Sequence, residues 1–304
     1  MKALITEQFH ECLVRGLLEL GIECTVNEEI NTQGVSDIIH EYDIIVVNSK
    51  ILLDQKLLEK TTRLKIIARV GSGLDIIDLD YCKKHQIEVI SSPEGNANAV
   101  AEHTLAFILS SFNNLYKAQT ELLNQTWVRE ENRGVELDGK VVAIIGFGNT
   151  GRKFAEKLKG FNVKILVYDI VEKISSQENL FFVNMETIYE EADVISMHLP
   201  LNKETLYTAN KDFFQKFKKT IYFVNTSRGK ICRTEALIDA IINNKVAKAM
   251  LDVFEDEPIN ISEKMKSLMN QNKLFLSPHI AGWTIESKFK LSQIIVEKIK
   301  KRMN

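Results

Sequence analysis

The 304 residues provide enough chain for two domains, because a single hydrophobic core rarely grows beyond roughly 250–300 residues. Hydrophobic residues make up 45% and charged residues 26%, a balance typical of globular proteins and not of disordered chains. The formal net charge of -2, with no basic stripe, argues against a nucleic-acid-binding protein. No apolar run approaches the roughly 18 residues of a membrane span.

The four cysteines, Cys12, Cys24, Cys82 and Cys232, are scattered, with neither a CxxC pair nor a histidine at metal-ligand spacing. This spacing predicts reduced thiols and argues against a disulfide framework or a metal site. The N-terminal MKALITEQF contains too short an apolar run for a signal peptide. We therefore expect a cytoplasmic protein.

The first part of the chain alternates short β-branched runs with amphipathic stretches. Strands are predicted at Ala3–Thr6, Ile22–Val26, Asp43–Val47, Lys65–Arg69 and Glu88–Ile90. Helices are predicted between them at His10–Leu20, Thr32–His40, Leu53–Lys60 and Leu79–His85. Such alternation predicts parallel strands joined by right-handed helical crossovers.

One long, mostly apolar helix is predicted over Ala97–Leu115, where the chain contains neither Gly nor Pro. This helix is either a buried core helix or a spine between two domains, and His103 within it fits a hydrogen-bonded core or hinge position. The polar stretch Asn124–Gly139 is predicted to be an exposed arm or a connection. Its Trp127 suits an interface anchor, because tryptophan is enriched in protein interfaces.

A second alternating series follows the arm. Strands are predicted at Lys140–Ile145, Val163–Tyr168, Asp193–Met197, Ile221–Asn225, Lys248–Leu251 and Lys273–Leu276. Helices are predicted at Gly151–Lys159, Met185–Glu190, Asn210–Lys216 and Thr234–Asn244, and a final amphipathic helix from Thr284 to Arg302. The two series predict an α/β protein with two doubly wound parallel-sheet domains.

A glycine-rich motif opens the second series. Val141–Ile145 leads directly into Gly146, Gly148 and Gly151 in the order G-x-G-x-x-G. In a dinucleotide-binding turn these glycines make the tight turn, let backbone approach the pyrophosphate, and let helix and strand pack closely. Asp169 ends the next strand, where a carboxylate can bind the ribose 2′-hydroxyl and would repel a 2′-phosphate. The motif predicts NAD binding; the alternative is a glycine-rich turn with an ordinary strand-end aspartate.

Three residues with complementary chemistry follow later strands of the same series. Arg228, Glu257 and His279 lie beyond strand ends, at the edge where open α/β sheets bind ligands. Reduction of a 2-keto acid needs a planar cation for the carboxylate and an acid that delivers a proton. A carboxylate beside the imidazole holds it in one tautomer. Each residue alone has a plainer interpretation, as a surface arginine, a solvated acid or a capped loop histidine; together they predict a catalytic site.

With these motifs the chain resembles the D-isomer-specific 2-hydroxyacid dehydrogenase family, from the VGSGLD turn at 70–75 to the loop around His279. The resemblance implies that Arg228 binds the substrate, that His279 is the acid/base and that Glu257 is its partner. Cofactor contacts are implied for the motif glycines and Asp169, and for Asn149, Thr150, His198, Leu199, Thr226, Asp252 and Gly282. Substrate contacts are implied for Asn48, Arg69, Ser72 and Gly73. His198 also ends a strand and has a competing claim to be the proton donor, but the resemblance makes it a neighbour of the cofactor.

The resemblance also implies a domain organisation. Residues 1–94 and 283–304 would form a flavodoxin-like substrate domain. Residues 95–282 would form a Rossmann NAD-binding domain inserted into it, with the catalytic site in the cleft. A homodimer through the nucleotide domain and the 124–139 arm is expected.

Within the family, the resemblance is closest to the D-3-phosphoglycerate dehydrogenases of serine biosynthesis, notably in Lys65–Arg69 and Ser91–Asn96. Arg69 matches a basic position near the substrate phosphate. Asn48, however, stands where many of those enzymes have another arginine, with Lys50 close by. D-3-phosphoglycerate is therefore the preferred substrate, and glyoxylate or hydroxypyruvate reduction is the alternative.

Two further departures bear on the substrate. Ile76 replaces an asparagine often found there, and Trp283 is bulkier than the small residue common after the histidine loop, so that it would narrow the pocket. A non-catalytic NAD-sensing scaffold or corepressor is a third interpretation, which the complete Arg–Glu–His set disfavours. Because the chain ends at Asn304, neither a regulatory domain nor serine feedback is expected.

Overall fold

The computed structural model describes residues 1–171 and 178–303, which divide into two compact units. The first unit contains Met1–Ala97 and the chain from Trp283 onward, and the second contains Asn98–Gly282. Among the helices of the described residues, none has both the length and the apolar character needed to cross a membrane.

The secondary structure consists of alternating strands and helices. The strands are β1 (Lys2–Ile5), β2 (Glu23–Val26), β3 (Ile44–Val47), β4 (Ile66–Arg69), β5 (Glu88–Ser91), β6 (Val141–Ile145), β7 (Lys164–Tyr168), β8 (Leu180–Phe182), β9 (Val194–Met197), β10 (Ile221–Asn225), β11 (Val246–Leu251) and β12 (Leu274–Leu276). The helices are α1 (Glu11–Glu19), α2 (Thr32–Ile38), α3 (Gln55–Leu58), α4 (Leu79–Lys84), α5 (Pro93–Phe112), α6 (Leu115–Leu123), α7 (Asn149–Lys157), α8 (Met185–Glu191), α9 (Lys211–Lys216), α10 (Thr234–Ile242), α11 (Glu263–Asn270) and α12 (Ile285–Met303).

The first unit is built on a parallel sheet in the order β2-β1-β3-β4-β5, the order of flavodoxin-like doubly wound folds. Successive side chains of a strand point to opposite faces. Ile44 and Val46 therefore pack towards α1 and α12, whereas Ile45 and Val47 pack towards α2, α3 and α4. Burial on both faces explains why β3 is uninterrupted Ile and Val.

The second unit contains a parallel sheet in the order β12-β11-β10-β9-β6-β7-β8. Helices α5 and α7 cover one face, and α8 to α11 cover the other. The strand order reverses between β6 and β9, as in a Rossmann fold with an additional strand. Ligands bind at such a reversal, outside the carboxyl ends of the strands. The predicted fold class of two doubly wound parallel sheets is confirmed.

The prediction of one helix over Ala97–Leu115 is wrong at both ends. Helix α5 begins earlier, at Pro93, whose fixed φ and missing N–H suit the first position of a helix. It ends at Phe112, and Asn114 adopts a left-handed φ of 54° before α6 begins. Lys248 donates to the Asn114 side chain over 2.6 Å, so a residue distant in sequence stabilises the break.

Among the strands and α-helices of the described residues, three were not predicted: the short strand β8 and the helices α6 and α11. Helix α11 carries a recognisable start, because the Ser262 hydroxyl accepts a hydrogen bond from the N–H of Met265 over 3.3 Å. The remaining predicted strands and helices are confirmed to within a few residues at their ends.

Candidate active site

The glycine-rich turn between β6 and α7 has the geometry of a phosphate-binding turn. Gly146 has a left-handed φ of 94°, and a Cβ there would lie 2.5 Å from the carbonyl oxygen of His198. A Cβ on Gly151 would collide with the carbonyl oxygen of Gly146. A Cβ on Gly148, by contrast, would meet no protein atom within 4 Å. Two glycines thus allow the turn to form, and the third leaves open space beside α7.

The surroundings of this turn fit an adenine dinucleotide. Gly148 occupies the N-cap position of α7 and provides no side-chain acceptor for the N–H groups of the first turn, and such groups bind phosphate. Asp169, at the end of β7, accepts hydrogen bonds from the N–H groups of Phe147 (2.6 Å) and Val171 (2.9 Å). Its partly exposed carboxylate therefore lies against the turn, where a ribose hydroxyl is bound in Rossmann folds.

The other predicted cofactor residues also follow strand ends or begin α7. They are Asn149, Thr150, Leu199, Thr226 and Gly282. Thr226 is buried, and its hydroxyl lies 2.9 Å from that of Thr104 on α5. Contacts of these residues with a cofactor stay predictions. In residues 1–171 and 178–303, no group of three or more His, Cys, Asp or Glu side chains is arranged to hold a metal ion.

His198 lies at the end of β9, inside the second unit. Its Nε2 is 2.9 Å from the Ser196 hydroxyl, and its ring faces Phe154 of α7 at 5.4 Å between centroids. Burial lowers the pKa of His198 to about 3, so the imidazole is neutral at physiological pH. A neutral, enclosed ring is poorly suited to deliver a proton to substrate. The surroundings therefore argue against His198 as the acid.

Arg228 lies in a turn after β10 that Asn225 organises. The Asn225 Oδ1 accepts hydrogen bonds from the N–H (3.1 Å) and hydroxyl (2.7 Å) of Ser227, and its Nδ2 donates to the Arg228 carbonyl (3.0 Å). The Arg228 Nη1 donates to the Ser227 carbonyl over 2.8 Å. The buried amide of Asn225 thus holds the arginine at the carboxyl edge of the sheet.

Glu257 and His279 form a hydrogen-bonded pair, with 2.6 Å between Oε2 and Nδ1. The other carboxylate oxygen of Glu257 accepts from the N–H of Phe254 over 3.0 Å. Burial by itself would raise the pKa of Glu257, but these two hydrogen bonds and the charges of His279 and Arg228 outweigh it and hold the pKa below its ordinary value. Glu257 is therefore charged at neutral pH. The structure brings the three predicted catalytic residues together.

Asp252 supports the loop that carries His279. It ends β11 and is 0% exposed. One carboxylate oxygen accepts from the N–H of Ile280 (2.9 Å) and the other from the N–H of Ala281 (2.8 Å). His279 itself has a left-handed φ of 56°, so these bonds hold a backbone conformation that a histidine seldom adopts. The predicted contact of Asp252 with the cofactor stays a prediction.

Ser277 was not singled out from the sequence, although it lies between β12 and His279. Its hydroxyl donates to Asp252 and lies 3.0 Å from Nε2 of His103. An ionised carboxylate only accepts, so Ser277 uses its single hydrogen on Asp252 and His103 must donate from Nε2. Burial lowers the pKa of His103, and the charge of Asp252 opposes this shift only in part. His103 is thus a hydrogen-bonded residue, as predicted.

In the first unit, the predicted substrate residues lie at the ends of β3 and β4. Arg69 is buried and donates from Nη1 to the Asn48 side chain and to the Val70 carbonyl (2.9 Å). The N–H of Asn48 donates to the carboxylate of Glu7 over 2.8 Å, and the same oxygen accepts from the N–H of Lys50 at 3.2 Å. Glu7 was not singled out from the sequence, and it sets a negative charge beside Asn48.

Ser72 and Gly73 follow in the next loop. In the part of the chain that the structure describes, their N–H groups donate to no protein acceptor. The Ser72 hydroxyl donates to Asn96 over 2.7 Å. The guanidinium of Arg69 lies against Gly71, directly before these two residues. Consecutive N–H groups beside a guanidinium make an anion-binding element.

Comparison with known proteins gives consistent results. Residues 105–281, more than half of the chain, match the model of "D-isomer specific 2-hydroxyacid dehydrogenase, NAD binding domain". The chain is 34% identical over 277 residues to the hydroxypyruvate reductase of Thermotoga maritima, covering 91% of this chain and 90% of that protein. It is 32% identical over 301 residues to the D-3-phosphoglycerate dehydrogenase of Archaeoglobus fulgidus, covering 98% of this chain and 56% of that protein.

The chain therefore spans about half the length of the phosphoglycerate dehydrogenases it matches, 56% and 51% for the first two. Among solved structures, it is similar to a D-lactate dehydrogenase from Aquifex aeolicus complexed with NAD and lactic acid. The TM-score is 0.86 at 28% identity, with 99% of this chain and 95% of the other covered. The match therefore extends over nearly all of both chains.

Proposed function

Because the chain belongs to the D-isomer-specific 2-hydroxyacid dehydrogenase family, we propose that it interconverts a small D-2-hydroxy acid and its 2-keto acid with NAD. The observation that carries the proposal is the 2.6 Å hydrogen bond between His279 and a charged Glu257, with the charge of Arg228 nearby. We assign NAD binding to the second unit, and propose the first unit as the substrate domain.

The proposed mechanism divides the work between cofactor and protein. Bound NAD would supply or accept the hydride. His279 directs Nδ1 to Glu257, so Nε2 is the atom that holds or releases the proton. In reduction, a protonated His279 gives its Nε2 proton to the carbonyl oxygen, and Glu257 stabilises the positive ring beforehand. In oxidation, a neutral His279 takes the hydroxyl proton at the same nitrogen.

Arg228 binds the substrate carboxylate in this proposal. A guanidinium can grip both carboxylate oxygens at once, which fixes the orientation of the neighbouring carbonyl. Within the first unit, we propose the N–H groups of Ser72 and Gly73 as donors to an anionic group. Orientation of this kind lowers the activation barrier because the reacting atoms are held in place before the transition state.

The test of the proposal is His279→Ala, assayed by the loss of NADH absorbance with a 2-keto acid. We expect kcat to fall by about 10²–10⁴-fold, the usual contribution of acid–base catalysis, while the Kd for NADH is unchanged. His40→Ala, which removes an exposed histidine of the first unit, is the matched control. Unchanged turnover of the His279 variant would remove that residue from the mechanism.

For the finer substrate assignment, D-3-phosphoglycerate and its keto acid are the first candidate. Arg69 and the following Ser72 and Gly73 supply a cation and backbone donors. Several relatives are named D-3-phosphoglycerate dehydrogenase. This assignment would place the reaction in serine biosynthesis.

A specific observation favours glyoxylate or hydroxypyruvate as the second candidate. Asn48 replaces a cation with an amide, and its side chain already accepts from Arg69. Glu7 accepts the N–H groups of Asn48 and Lys50, so those donors are occupied and the negative charge of Glu7 would repel a dianionic phosphate. An acid with a single carboxylate meets no such repulsion.

A panel of keto acids with NADH separates the two candidates: phosphohydroxypyruvate, hydroxypyruvate, glyoxylate and pyruvate. Preference for phosphohydroxypyruvate supports the first candidate. Preference for an unphosphorylated acid supports the second, and then Glu7→Gln raises kcat/KM for phosphohydroxypyruvate relative to hydroxypyruvate. Tight NADH binding with no turnover of any acid would instead support an NAD-sensing scaffold.

We also propose a homodimer, which would use the second unit. Helix α6 and the arm after it expose large apolar side chains, with Trp127 80% and Leu123 75% exposed, and contiguous exposed apolar surface marks interfaces. Light scattering of the wild type and of Trp127→Ser tests this, since loss of the dimer is expected in the variant. A cytoplasmic location stays a prediction.

A further inference from the structure

Glu255 lies two residues before Glu257 but makes its contacts with a different segment. One of its carboxylate oxygens accepts from the N–H of Thr234, the first residue of α10, over 2.7 Å. The other lies 3.7 Å from Nη1 of Arg233, which occupies the N-cap position without a side-chain cap of its own. A carboxylate at a helix N-terminus is favourable for both the free N–H groups and the helix dipole. Glu255 thus caps a helix from outside it.

A third residue joins this contact. Tyr207, in the segment between β9 and α9, forms a hydrogen bond with Glu255 that raises the pKa of its phenol. The Arg233 guanidinium lies over the Tyr207 ring, 3.4 Å from its centroid. The N–H of Tyr207 donates to the Lys230 carbonyl over 2.8 Å. The segments after β9, β10 and β11 therefore meet at one carboxylate.

The segments after β10 and β11 also meet close to the proposed catalytic residues. A Cβ on Gly229, the residue after Arg228, would collide with the backbone carbonyl of Phe254. On its other side, Phe254 donates its N–H to Glu257 over 3.0 Å. Phe254 is therefore the backbone residue between the turn of Arg228 and the carboxylate of Glu257 that binds His279.

From these contacts we infer that Glu255 is a positioning residue of the reaction. It holds the segment after β11 against the start of α10. The distance between these two segments in turn sets the positions of Arg228 and Glu257, because Gly229 and Phe254 are in contact beside them. Glu255 binds neither substrate nor cofactor in this scheme. The inference rests on the proposed function, since it concerns the geometry between the carboxylate-binding arginine and the acid/base pair.

The experiment compares Glu255→Ala, Glu255→Gln and Asp256→Ala. Asp256 is the matched control, because its removal changes the net charge equally; its charge also acts on Tyr207, but this exposed neighbour makes none of the hydrogen bonds described above. In Glu255→Ala we expect kcat/KM for keto-acid reduction to fall by about 10- to 100-fold, the cost of a displacement near 1 Å. The KM for NADH should stay within about twofold. The glutamine variant keeps an acceptor for Thr234 and should recover most of the loss.

A different result is expected if Glu255 only caps α10 and has no positioning role. The melting temperature of Glu255→Ala would fall, but kcat and KM of the folded enzyme, measured well below that temperature, would equal those of the wild type. That outcome, or an equal loss in Asp256→Ala, overturns the inference.

A second readout does not depend on turnover. The ring resonances of His279, followed by nuclear magnetic resonance, report its hydrogen bond to Glu257. They should shift in Glu255→Ala and stay in place in Asp256→Ala. Unshifted resonances in Glu255→Ala overturn the inference even if no keto acid is turned over, whereas absence of wild-type turnover with shifted resonances overturns the proposed function alone.

Discussion

Replacement of Glu257 by glutamine removes one charge and keeps the length of the side chain. A pair of unit charges 2.6 Å apart would interact with about 6 kcal/mol at an effective dielectric constant near 20. His279 and Glu257 are 48% and 35% exposed, however, so water screens the pair. The measured range for a hydrogen bond to a charged group, about 1.5–3 kcal/mol, is the better guide. It corresponds to a factor of about 10 to 100 in rate.

The direction of the effect follows from the form of His279 that the proposed reduction uses. In the proposed reduction His279 gives its proton to the keto acid, and the Glu257 charge holds and stabilises the ring that does so. A neutral amide at position 257 loses this stabilisation, so kcat for reduction at neutral pH should fall by about 10- to 100-fold.

Initial rates of NADH loss at neutral pH and saturating keto acid measure this loss. Asp256→Asn is the control, because it removes a charge one residue away and makes no contact with the imidazole in the described structure. Equal kcat values for Glu257→Gln and the wild type would refute the reasoning, because the 2.6 Å contact would then have no influence on the proton transfer.

Further substitutions test the other parts of the site. Arg228→Lys should raise KM for the keto acid and lower kcat, with about 10- to 100-fold lost in kcat/KM by steady-state kinetics, because an ammonium cannot reproduce the planar fork. Gly148→Val should melt like the wild type but bind NADH weakly in a fluorescence titration, since its side chain enters space free of protein atoms; Gly151→Ala should instead lower the melting temperature, because its Cβ meets the turn backbone. Asp169→Asn should reduce the preference for NADH over NADPH by about tenfold in kcat/KM, as the repulsion of a 2′-phosphate is lost.

The strands were predictable because burial on both faces leaves a direct mark on the sequence. Ile44 to Val47 and Val141 to Ile145 are uninterrupted apolar runs, and each is an interior strand of its sheet. The ends of α5 were not predictable in this way. Gly95 resembles a loop residue, yet a Cβ there would lie 2.8 Å from the backbone of Leu291 on α12, so the helix accepts a glycine for close packing. Such a contact is absent from any local pattern.

The placement of the proposed catalytic residues was predictable for a related reason. Parallel strands end at one edge of a sheet, so polar residues that follow buried strands are brought together whatever their separation in sequence. Arg228, Glu257 and His279 satisfy this rule. The same rule does not identify Ser277, Glu255 and Glu7 as residues of the site. Their hydrogen-bond partners lie on other segments, so their roles are visible only in the folded chain.

The strand order explains why three short segments suffice for the chemistry. Strands β10, β11 and β12 are neighbours in the sheet, and adjacent strands lie about 4.8 Å apart. Arg228, Glu257 and His279 follow these strands in that order, so the central strand carries the acid that both flanking residues influence. The distance between the Arg228 guanidinium and the His279 imidazole is thus determined by two strand spacings and by the conformations of the loops. The strands set the first part, and buried polar groups such as Asn225 and Asp252 set the second.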